Sequence, residues 1–134
     1  MMRVLYILVL FITLSACTNK KSVHSSIEQT DSLLCELHER DQQIRHKLIS
    51  VQQAYIAEQR AELIDSIVML VSEQDRADSL NRVAVDSLLQ NGWPEGLSEQ
   101  SNQTIWLIID HADVEYLERY LPLIEQQAVR GTIS

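Results

Sequence analysis

The sequence predicts an all-α protein, a small helical bundle of about four to five helices behind an N-terminal leader and a short tether. Between Ser22 and Asn91 there is neither glycine nor proline, and the 134-residue chain holds only 3 Gly and 2 Pro. Helix breakers are therefore almost absent. Apolar residues recur at spacings of three and four, the period of a helix face, and aromatic residues, which favour strands, make up only 5% of the chain.

The leader comes first. Arg3 supplies a positive charge, Val4 to Thr13 form an apolar stretch shorter than the roughly 20 residues a spanning helix needs, and Leu14-Ser15-Ala16-Cys17 has the form of a lipobox. Residues 1–16 are thus expected to be a lipoprotein signal peptide cleaved before Cys17. The Cys17 thiol would carry the diacylglyceryl anchor and the freed amine a further acyl chain such as palmitate, more than the two signals stable anchoring needs. Thr18, in place of the aspartate that retains lipoproteins at the inner membrane of enteric cells, points to the outer membrane and its periplasmic face. Residues 17–27, polar and without an apolar period, read as the acylated cysteine and tether, and residues 28–134 as one helical domain.

Charge and cysteine usage narrow the chemistry. The formal net charge is −8, and it becomes −9 when the leader takes Arg3 away. Nucleic acid is therefore excluded as a partner, and so is broad binding to anionic lipid, which leaves the acyl chains as the membrane contact. After acylation Cys35 is the one remaining thiol, so no intramolecular disulfide, cysteine metal cluster or redox pair can form. His24, His38 and His46 lack paired ligand spacing, and no Gly-rich phosphate loop or nucleophile elbow is present. No cofactor or metal is expected.

Along the domain, Leu34, Leu37, Ile44, Leu48, Val51 and Tyr55 form a core-facing stripe once Asp41 completes the series. Leu63, Ile64, Ile67, Val68 and Val71 form a second stripe out of phase with the first, so the chain either breaks or turns its face near residues 57–61. The polar run 72–79 offers Asp75 or Asp78 as the N-cap of a further helix through Leu80, Val83, Ala84 and Leu88. That helix is expected to end at Asn91-Gly92, and Trp93-Pro94 to force an extended exit. Residues 95–101 read as a loop, and Ile105, Trp106, Ile108, Ile109 and Ala112 as a short buried helix closed by His111-Ala112-Asp113. A last segment runs through Leu117, Tyr120, Leu121, Ile124 and Ala128 to Gly131, kinked or restarted at Pro122.

Few residues could carry chemistry. Asp41 stands in an apolar stripe, where an acid must be paired, and Arg45 follows one turn later in the favourable acid-then-base order, with Gln42 beside them. His111 closes the most apolar helix between Asp110 and Asp113, where it could act as a base or bind a buried acid such as Asp41. His111, Asp41, Arg45 and Asp113 are the catalytic candidates; Gln42 and Trp93 are the binding candidates. Each also has a structural reading, as an ion pair, a helix-to-helix tie or a core plug.

These motifs together resemble an uncharacterised bacterial domain family, a domain of unknown function whose marks are DQxxR, GWP, WLxxQHAD and LPL in that order. Here they stand as Asp41-Gln42-x-x-Arg45, Gly92-Trp93-Pro94, Trp106-Leu107-Ile108-Ile109 with His111-Ala112-Asp113, and Leu121-Pro122-Leu123. The resemblance covers residues 33 to 131 and implies an envelope lipoprotein or secreted protein, with no reaction attached. Asp110 and Leu117 replace glutamines of that pattern, and its closing Gln-x-Tyr-Gly segment is absent, as in a C-terminally truncated and partly degenerate copy. The expected function is a non-catalytic binding or interaction module; the alternative is a hydrolase-like domain using His111, Asp41 and Arg45.

Overall fold

The structure, a computed structural model, describes residues 2–133, with side chains from residue 24 onward. The side chains of residues 1–16, expected to be a leader, and of Cys17 lie outside the described residues. The chain builds α1 (Met2–Glu58), α2 (Glu62–Leu89), α3 (Glu99–Asp110) and α4 (Val114–Arg130), with no strand among the described residues.

The first two helices form a long antiparallel hairpin, α2 alone extending about 42 Å at 1.5 Å per residue. The break near residues 57–61 is real. Gln59 takes a left-handed φ of 53°, donates its backbone N–H to the Tyr55 carbonyl and reaches the Ile56 carbonyl with its side chain, so it caps α1 without a glycine. Of the α1 stripe, Leu34, Leu37, Asp41, Ile44 and Leu48 are buried as expected, while Val51 and Tyr55 are only half-buried. The polar stretch expected to be a tether falls within α1, where His24 pairs with Glu28 at 3.2 Å and Thr30 donates to the Ser26 carbonyl.

On α2 the structure corrects two expectations. No new helix starts at Asp75 or Asp78; α2 is continuous, because the run between its apolar patches contains no residue that disrupts helix. Its buried seam is Leu70, Ala77, Asn81, Val85 and Leu89, while Ile64, Val68, Val71, Leu80 and Val83 face outward. The seam thus takes in small Ala77 and polar Asn81 and leaves out larger apolar residues, so apolar character alone pointed to the wrong face.

Beyond Leu89, Gly92 adopts φ 95° and the chain turns into Trp93-Pro94. The loop is tied back to α1. Asp31 accepts from both the N–H and the hydroxyl of Ser98, each at 3.1 Å, and Ser98 in turn caps α3 through the Ser101 N–H. α3 starts at Glu99, earlier than its apolar residues suggest, and packs Ile105, Ile108 and Ile109 against Leu34, Leu37, Val85 and Leu89. α4 begins at the cap Asp113, runs through Pro122 without restarting and stops at Gly131, whose φ of 70° suits the left-handed cap. Tyr116 and Ile124 carry its side of the core.

Candidate functional site

Asp41 and Arg45 share one face of α1 by their i, i+4 spacing, and Gln42 adjoins Asp41 in sequence. The register of the hairpin, set by the turn at Gln59, brings Asp78 and Asn81 of α2 against them, and α3 ends with His111 above the pair. Arg45 grips Asp41 with two hydrogen bonds of 3.0 Å and reaches Asp78 at 2.7 Å. Gln42 donates to Asp41 at 2.9 Å. On the same helix Arg40 donates to the amide oxygen of Asn81 at 2.7 Å, and Asn81 is fully buried. His111 Nδ1 lies 3.6 Å from Asp41 Oδ2, close enough for an ion pair and too far for a hydrogen bond, and it has no hydrogen-bond partner.

Asp41 is only 3% exposed, so its charge must be answered within the protein, and the bidentate guanidinium does this. Two carboxylates share that one guanidinium. Burial raises the Asp78 pKa above its ordinary 3.8, aided by the charge of Asp41 and opposed by Arg45. At the loop the balance is reversed, and hydrogen bonds from Ser101 and Ser98 lower the Asp31 pKa. Asp78, with its pKa raised, favours the folded state less as pH rises from 3.8 through its elevated range; Asp31, with its pKa lowered, loses its contribution as pH falls below 3.8. Carboxyl-carbon NMR titration should therefore find Asp78 titrating above 3.8 and Asp31 below it, and the reverse order would contradict the network.

The sequence candidates do not all meet. Asp41, Gln42, Arg45 and His111 converge, but Asp113 caps α4 by accepting from the Tyr116 N–H at 2.9 Å. Trp93 is buried in the core, its indole N–H donating to Asn102 at 2.7 Å while Asn102 binds the loop carbonyls of Leu97 and Ser98. Neither residue faces an opening at the cluster. Asp78 was overlooked because an acid in a polar run reads as a helix cap, and Arg40 because its partner is on another helix.

The space among Asp41, Asp78, Asn81, Arg82, Ile108, His111 and Ala112 has a volume of 0 Å³ for anything the size of water. A general base needs a proton within reach and room for the group that carries it. Here the imidazole faces a carboxylate instead. Among the described residues, no three His, Cys, Asp or Glu side chains are placed to hold a metal ion. The geometry is that of a tie between α1, α2 and α3.

No family model, curated protein or solved structure matches this chain.

Proposed function

We propose that this protein is an outer-membrane lipoprotein, anchored through Cys17 on the periplasmic face, whose helical domain is a non-catalytic binding or interaction module. The closed Asp41–Arg45–Asp78–His111 cluster carries this reading: the titratable groups that could serve a reaction are spent on one another, without space for a substrate. The motif residues of the resembling family are then fold-defining ones, Asp41 and Arg45 joining helices and Trp93 plugging the core. Interaction would fall to the hairpin beyond the three-helix junction, where Ile49, Ile56, Ile64, Val68 and Met69 are exposed on a membrane-tethered domain.

Two measurements test the parts of this reading. Cells labelled with a palmitate analogue should incorporate it into the wild-type protein and not into Cys17→Ala; label persisting in the variant would refute the anchor. Purified protein offered chromogenic esters, amides, phosphodiesters and glycosides should show no turnover that His111→Gln removes. Turnover that depends on His111 would restore the hydrolase-like reading.

A further inference from the structure

On the other side of the α1–α2 seam from Asp41, the hairpin opens a groove of about 330 Å³, within the range of small-ligand sites. Its walls follow two helix faces, Arg40, Ile44 and Lys47 from α1 and Arg76, Ala77 and Leu80 from α2, at the i, i+3/i+4, i+7 spacing that lines one side of each helix. The floor is apolar: Ile44 and Ala77 are buried and Leu80 is half-exposed.

The charge around this floor is opposite to that of the whole chain. Arg40, Lys47 and Arg76 face Glu73 alone, in a protein whose net charge is −8. Among the described residues, neither Lys47 nor Arg76 forms an ion pair within 4.0 Å, and Arg40 spends one nitrogen on the neutral amide of Asn81, which holds its guanidinium at the groove. Three cations set against one carboxylate leave an excess of positive charge, and an oxyanion among them relieves their repulsion and gains charge-assisted hydrogen bonds. An apolar floor beneath the cations adds burial for a hydrocarbon body. The geometry points to a binding site for a small organic oxyanion, a carboxylate or phosphate carried on an apolar group, in the groove between α1 and α2.

This assignment rests on the reading of the protein as a binding module and gives that module a ligand class. Its failure would leave the His111 turnover test untouched, so the two can fail separately. The test uses the detergent-solubilised full chain with isoleucine and leucine methyls labelled, titrated with phenyl phosphate, phenol and inorganic phosphate and followed by NMR. Phenyl phosphate should shift the Ile44 and Leu80 methyl signals saturably, and Arg76→Gln and Lys47→Gln, both at exposed positions, should each weaken binding about fivefold. Arg119→Gln, remote from the groove, should leave it unchanged. Phenol binding as tightly as phenyl phosphate would overturn the anionic part of the assignment, and inorganic phosphate doing so would overturn the organic part. No saturable shift at Ile44 and Leu80, or equal affinity in the groove variants, would overturn the site altogether.

Discussion

Arg45→Leu should destabilise the domain by about 3 kcal/mol, the lower end of the range for removing one partner of a buried ion pair, because the Arg45 side chain is itself 19% exposed. The substitution strips Asp41 of two hydrogen bonds and leaves its carboxylate 3% exposed with only Gln42 as donor. Asp78 loses the same guanidinium, so both acids at the seam between α1 and α2 lose their shared partner. Acidification should shrink the deficit, since protonation removes the unpaired charge. Urea melts at neutral and acid pH would measure both effects; a loss below about 1 kcal/mol at neutral pH would mean that the pair behaves as an ordinary surface salt bridge.

Trp93→Ala should cost about 3–5 kcal/mol, the usual range for emptying a large aromatic site in a core. The ring belongs to the same buried core as Leu89, Ile105 and Ile109, at the exit of α2, and its loss also orphans the Asn102 carbonyl that receives the indole N–H. Trp106 stands on the short helix that the sequence marks as buried. It is only partly buried, so Trp106→Ala should cost clearly less than Trp93→Ala. Equal losses in urea melts, or a Trp93 loss under about 1 kcal/mol, would contradict the placement of the indole in the core.

What could be read from sequence follows from which contacts are local. The α1 seam was legible because Leu34, Leu37, Ile44 and Leu48 are large apolar residues at helical spacing, and Asp41 stood out among them as an acid needing a partner. Arg45 is one turn away on the same helix, so that half of the cluster is a local fact. The α2 seam was not legible, since Ala77 and Asn81 lie in it while Val68, Met69 and Val83 are exposed at 62% each. Which face of α2 is buried is decided by its pairing with α1, and that pairing is not encoded in the hydropathy of α2. Asp78 and Asn81 enter the cluster only through the hairpin register, which depends on the turn at Gln59, a residue that adopts a left-handed conformation without the glycine that usually announces one. His111 was legible as a polar ring at the end of a buried helix. Its partner was open between a substrate and an acid, and the closed packing around Asp41 favours the acid.

The central claim is that Asp41, Arg45, Asp78 and His111 act as one structural network joining three helices. A double-mutant cycle on Asp41→Asn and His111→Gln, read by urea denaturation, tests it most directly, because these two residues lie on α1 and at the end of α3 and meet only through the 3.6 Å contact. The network predicts an interaction energy of about 1 kcal/mol. Additivity within about 0.3 kcal/mol would show that His111 stands outside the network and would contradict the account.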